Sequence, residues 1–328
     1  MTRARVRRGM DTPPIHPQVE AVAADIADME TRGAATIAEA AANALRIQAQ
    51  ESAAGDPAAF QAQQRAAART LLDTRPTAVS LPNALRFVLT RMEGETVPAL
   101  RERTVDAVED FCERLAGAQD RLGRIGANRI RDGDRLVFHC HSTDAMSCVE
   151  AAVAQGKEIE AVVKETRPRR QGRITASLLD DLGVPSTVVV DGAAGRYLGD
   201  ADHVLVGADS IAADGSVVNK IGTRPLAVNA RERGTPIMVA AQTIKLHPGT
   251  LTGHTVEIEE RSPDEVIEPE ELADLGDDVE VANPAFDVTP PRYVDAIVTE
   301  RGQFPPESIV TLMRELFGEG AEEPWRPE

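Results

Sequence analysis

Apolar residues recur every three or four positions through the first 130 residues. Val19, Val22, Ile26 and Met29 make one stripe; Leu85, Val88, Leu89 and Met92 make a second; Val105, Val108, Cys112 and Leu115 make a third. Residues at this spacing share one helix face, so the spacing predicts amphipathic helices. Asp56-Pro57 predicts a helix start, with the aspartate as cap and the proline at the first helical position. Cys112 sits on its helix's apolar stripe and is expected to be a packed core thiol.

The pattern changes at the turn signal Asp132-Gly133-Asp134. Beyond it, short apolar runs predict strands over 136–139, 159–163, 187–190, 204–206, 237–241 and 295–298. Helical stretches lie between them, such as 174–182, ended by Gly183. Strands alternating with helices imply βαβ units and a parallel sheet. The expected fold is therefore α/β. An N-terminal helical domain over 15–130 precedes a Rossmann-like parallel sheet flanked by helices over 131–328, with 1–14 as a flexible tail. The acidic stretch 257–280 is expected to be a solvated loop or edge region.

No apolar run approaches the roughly 18 residues of a membrane span. Arg3, Arg5, Arg7 and Arg8 give a basic start, but no apolar segment follows to make a signal peptide. A cytoplasmic protein is expected, with no membrane partner. Acidic residues number 53 against 36 basic ones, for a formal net charge of −17. That balance argues against a broad nucleic-acid-binding face. Only Lys157, Lys164, Lys220 and Lys245 are lysines; the other 32 of the 36 basic residues are arginines. Adaptation to high salt and GC-rich codon usage both account for this bias. Under the first, stability should fall at low salt, where self-repulsion is unscreened. The three cysteines form neither a disulfide framework nor a zinc module.

In open α/β sheets, ligands bind beyond the carboxyl ends of the strands. Two such ends carry reactive groups. The first strand runs into Cys140, with a helix start expected at Thr143 or Asp144. Amides of Ser142, Thr143 and Asp144 would suit a phosphate there, and the helix dipole would favour a Cys140 thiolate. A strand-end thiol that merely packs fits the same residues. His139-Cys140-His141 suggests a metal, but strand alternation turns the histidines away from the cysteine, so no metal is expected. No G-x-G-x-x-G follows the strand, so no dinucleotide cofactor is expected. Cys148, in the following helix, is expected to pack. The second end is Gly207-Ala208-Asp209. Asp209 reads either as a turn aspartate or, if the two strands are neighbours, as an acid/base partner for Cys140. Asn219, Lys220 and Lys245 follow later strand signals, and Arg32 and Arg75 interrupt the helical domain. Each cation reads as a surface charge or as a phosphate ligand.

The runs Arg32-Gly-Ala-Ala35, Glu165-Thr-Arg-Pro-Arg-Arg-Gln-Gly172, Gly207-Ala-Asp-Ser-Ile211, Asn219-Lys-Ile-Gly-Thr223 and Pro284-Ala-Phe-Asp-Val-Thr-Pro290 carry a resemblance. From Pro17 onward the chain resembles the sugar-phosphate isomerases related to the alpha, beta and delta subunits of translation initiation factor 2B. His139 to Ser142 and Lys245-Leu-His-Pro248 are similar to the archaeal branch that converts ribose 1,5-bisphosphate to ribulose 1,5-bisphosphate. Methylthioribose-1-phosphate isomerases and non-enzymatic regulatory subunits are the alternatives. The resemblance implies catalysis by Cys140 as base and Asp209 as acid through a phosphoenolate. It implies substrate binding by Arg32, Gly33, Ala34, Ala35, Arg75, Ser142, Thr143, Asp144, Asn219, Lys220 and Lys245. It further implies no cofactor, activation by AMP, and a homo-oligomer, either a dimer or a hexamer built from dimers.

Overall fold

The structure, a computed structural model, describes residues 13–31, 33–75, 78–276, 278–318 and 323–326. Most of the expected tail, residues 1–12, lies outside the described residues. The chain divides into two compact units. One comprises Met1–Pro76, Ser80–Glu113 and Glu323–Glu328; the other comprises Thr77–Val79 and Arg114–Glu322.

The first unit is helical: α1 (Pro17–Ala27), α2 (Ala34–Glu51), α3 (Pro57–Leu72), α4 (Ser80–Leu89) and the first half of α5 (Val97–Ala127). Asp56 caps α3 as its sequence predicts, its carboxylate accepting from the Ala59 N–H at 2.9 Å. Ile37, Leu45, Phe60, Leu71, Leu85 and Leu100 are fully buried and form its core. Cys112 departs from expectation: it is half-buried, at the edge of the apolar stripe, where the Asn43 Nδ2 approaches its sulfur at 4.0 Å.

In the second unit, β1 (Arg135–Phe138), α6 (Thr143–Ala154), β2 (Glu160–Lys164), α7 (Gly172–Asp181), β3 (Ser186–Val189), α8 (Ala194–Tyr197) and β4 (His203–Val206) come first. Then follow β5 (Ser210–Ala212), β6 (Val217–Lys220), α9 (Thr223–Arg233), β7 (Ile237–Ala240), β8 (Leu246–His247) and α10 (Pro269–Ala273). The last are β9 (Phe286–Thr289), β10 (Ala296–Thr299), β11 (Gly302–Phe304) and α11 (Ile309–Phe317). All six predicted strands are present, their ends displaced by no more than one residue.

The main sheet has seven strands in the order β11-β10-β7-β4-β1-β2-β3. All neighbours run parallel except β10 and β11. Alternate residues feed cores on both faces. Leu136, Phe138, Leu205 and Val298 pack with Leu122 of α5, Met146 of α6 and Leu179 of α7. Val137, Val204, Val239 and Ile297 pack with Leu226 of α9 and Ile309 of α11. Burial on both faces explains why these strands read as continuous apolar runs. From β1 the chain winds outward to β3, then returns to β4 and winds the other way. The order of winding therefore reverses between β1 and β4, the switch point where open α/β sheets leave a crevice.

A second sheet, β8-β5-β6-β9, was not foreseen. Its strands have two to four residues and include buried polar side chains, which mask the apolar signal. The acidic stretch is irregular and largely exposed, as predicted, with only short helical turns. Among the described residues, no helix is long and apolar enough to cross a membrane.

Candidate active site

The switch point places two reactive side chains side by side. β1 and β4 are direct neighbours, with Phe138 opposite Leu205. Two residues beyond Phe138 stands Cys140, and four beyond Leu205 stands Asp209. The two lie close enough that the Asp209 charge acts on the Cys140 thiol. The turn between strand and aspartate is tight. A Cβ on Gly207 would fall 2.3 Å from the Ser142 Oγ, so only glycine lets the β4 turn pass beside the start of α6.

Cys140, two residues past the end of β1, has φ at +67°, in the left-handed region. Its N–H donates to Thr166 Oγ1 at 2.8 Å, and its sulfur lies 3.4 Å from Gln171 Oε1 as a donor. The side chain is nearly buried, and burial pushes the thiol up to about 11. The His141 amide, Lys220 and Arg261 pull the other way, and Asp209 adds to the rise. The expectation that a helix N-terminus lowers this thiol is therefore corrected: loss of solvent outweighs the dipole. Cys140 is accordingly a thiol at neutral pH. Its alkylation by iodoacetamide, followed at this residue by mass spectrometry, is expected to climb about tenfold per pH unit above pH 8. The midpoint should lie near about 11. A midpoint at an ordinary thiol value would contradict the burial argument.

Asp209 is exposed, with its N–H bonded to the Val218 carbonyl at 2.9 Å. Ser142 caps α6, its Oγ accepting from the Ala145 N–H at 3.2 Å, and Thr143 is exposed at the first turn. Asp144 is buried to 1% exposure. Its carboxylate takes the Lys245 Nζ at 2.7 Å and the Gln242 Nε2 at 2.8 Å. These two predicted site residues meet each other, and Asp144 fixes where the lysine sits.

β6 carries the next pair. Asn219 is buried and donates to Thr223 Oγ1 at 3.0 Å. Lys220 is buried with its Nζ 4.7 Å from the Phe286 ring centre. Burial, then the nearby Arg261, holds the Lys220 ammonium below its ordinary value. Arg261, Lys220, Gln171 and Asn283 line one pocket with residues 166–169. Arg261 reaches it from the acidic stretch, bonded through Nε to Glu259 at 2.8 Å.

Gly33, Ala34, Ala35 and Arg75 belong to the helical unit. Gly33, at φ +88°, precedes α2, and among the described residues no side chain caps that helix start. Amides at a helix start without a side-chain cap suit a phosphate. Arg75 is half-buried, and Arg32 lies outside the described residues. Sequence reasoning did not single out Thr166, Gln171 or Arg261. The first two lie inside the 165–172 motif, and Arg261 is the sole basic residue of 257–280. Those were the available signals.

Comparison with known proteins gives the family. The family model described as "Initiation factor 2 subunit family" matches residues 30–306. The "Ribose 1,5-bisphosphate isomerase" of Haloferax volcanii is 70% identical over 95% of this chain and 96% of its own. That of Thermococcus kodakarensis is 47% identical over 94% and 98%. The crystal structure of Pyrococcus horikoshii translation initiation factor eIF-2B superposes with a TM-score of 0.74 at 29% identity, covering 90% of this chain and 100% of that one. The chain belongs to the initiation factor 2 subunit family.

Proposed function

We propose that this protein is an isomerase that converts α-D-ribose 1,5-bisphosphate to D-ribulose 1,5-bisphosphate. The observation that carries the reading is the meeting of Cys140 and Asp209 at the switch point, in a chain so similar to isomerases of that name.

The substrate ring is closed and bears a phosphate on C1. Opening it needs a proton on the ring oxygen, and isomerisation needs the C2 proton removed. In this reading Asp209 donates to the ring oxygen and Cys140 thiolate takes the C2 proton. The C1–O bond to the ring breaks as the C1–C2 double bond forms, leaving a phosphoenol or its anion. Cys140 then returns its proton to C1, and the C2 hydroxyl gives its proton to Asp209. Both groups end as they began.

The cycle starts with the proton on Asp209 and none on Cys140, whereas the resting thiol holds its proton. Loading the site must therefore move one proton off Cys140. Lys220 and Arg261 favour the thiolate electrostatically, and enclosing Asp209 would favour its neutral form. The start of α6 and Lys220 suit one phosphate. Arg32 to Ala35, Arg75 and Lys245 complete the binding set that the family resemblance implies. AMP activation and assembly into a dimer or hexamer belong to the same reading.

The discriminating experiment offers the enzyme ribose 1,5-bisphosphate and 5-methylthioribose 1-phosphate in parallel, each with and without AMP. The bisphosphate should turn over faster, and AMP should raise the rate. Preference for the methylthio sugar would overturn the substrate assignment. An unchanged rate would remove AMP from it.

A further inference from the structure

The run His139-Cys140-His141 invites a metal-site reading, yet both rings are engaged elsewhere. Two strained residues face each other at this point. Cys140 has φ +67° and Thr166 φ +64°, and neither is glycine. For a β-branched threonine that region is especially unfavourable. Such conformations persist only where the surroundings over-determine them, and they gather at functional sites.

Here the surroundings are two threonine hydroxyls. Thr166 Oγ1 accepts the Cys140 N–H at 2.8 Å. Thr175 Oγ1 donates to the Cys140 carbonyl at 3.0 Å. Both backbone polar groups of the cysteine are thus held, one by each hydroxyl. Each hydroxyl is in turn set by a histidine. His139 is buried, and its Nε2 faces the Ile221 carbonyl at 2.8 Å. A carbonyl only accepts, so Nε2 bears the hydrogen and Nδ1 is left as an acceptor. Burial lowers this ring to about 4, which keeps it in that neutral form. Nδ1 lies 3.3 Å from Thr166 Oγ1, so it accepts the hydroxyl proton, shared with the Lys164 carbonyl at 3.1 Å. His141 works in the opposite sense. Thr175 gives its proton to the Cys140 carbonyl, so His141 Nδ1, 3.2 Å away, donates to the Thr175 oxygen.

We propose that Thr166 and Thr175, each oriented by one of the histidines flanking Cys140, are positioning residues that hold the cysteine in its left-handed conformation and aim its sulfur at the crevice beside Asp209. The proposal rests on Cys140 being the base of the proposed reaction. It gives the two histidines a task that needs no metal.

The test compares Thr166→Val and Thr175→Val with Thr166→Ser and Thr175→Ser. Valine keeps the shape and removes the hydroxyl; serine keeps the hydroxyl. Each valine variant should lose about tenfold or more in kcat, because small misplacement of a reacting group is costly, with KM changed little. Each serine variant should recover most of the rate. In the valine variants Cys140 is released from its buried pose, so the midpoint of its alkylation profile should fall from about 11 toward an ordinary thiol. Thermal melting in molar KCl monitors folding. Should one valine variant fail to fold, the other and the serine pair still decide. Valine variants with kcat within twofold of the parent would overturn the proposal, as would serine variants as slow as the valines. Cys140→Ser, assayed alongside, separates the two failures. If it turns over normally, the underlying reading is wrong; if it is inactive while the valine variants are not, only the clamps are.

Discussion

Replacing Cys140 with serine is expected to lower turnover roughly 10²–10⁴-fold, the range a positioned acid or base contributes. Serine is nearly isosteric, so the backbone held by Thr166 and Thr175 should stay in place and the substrate should still bind. What changes is the proton. The buried thiol already sits at about 11, and a buried hydroxyl loses its proton far less readily. Lys220 and Arg261 can favour a sulfur anion but cannot bring a serine oxyanion into range. Steady-state rates with calorimetric binding separate the two effects. Near-normal turnover would remove Cys140 from the chemistry.

Asp209→Asn should be comparably damaging, by about 10²–10⁴-fold in kcat. An amide cannot deliver a proton to the ring oxygen, and the closed ring must open before C2 can become a carbonyl. A second effect follows from the charge. Asp209 raises the Cys140 thiol, so its removal should lower the alkylation midpoint of Cys140 below that of the parent. A variant that loses activity while its thiol becomes easier to ionise would tie both residues to one site. Unchanged thiol titration would mean that they do not share it.

Much of this site was legible before the structure. Each expected strand lay within one residue of its place; for all but the exposed edge strand β3, burial on both faces leaves an unbroken apolar run. Once β1 and β4 proved neighbours, Cys140 and Asp209 came together as their positions after strands implied. The chemistry of Cys140 was less legible. Helix proximity argued for an acidic thiol, while burial, invisible in sequence, decided the opposite. The second sheet escaped notice because its short strands bury Asn219 and Lys220 among few apolar residues. Arg261 escaped because a long, acidic stretch hides one returning cation. Strand alternation says little about His139 and His141, because β1 ends at Phe138, before either of them. Their hydrogen-bonded threonines lie 27 and 34 residues downstream.

The most direct measurement is product NMR on α-D-ribose 1,5-bisphosphate incubated with the protein in molar KCl and AMP, run beside Cys140→Ser and Asp209→Asn. The account predicts D-ribulose 1,5-bisphosphate from the parent and almost none from either variant. No ketose product from the folded parent, or equal product from the variants, would contradict it.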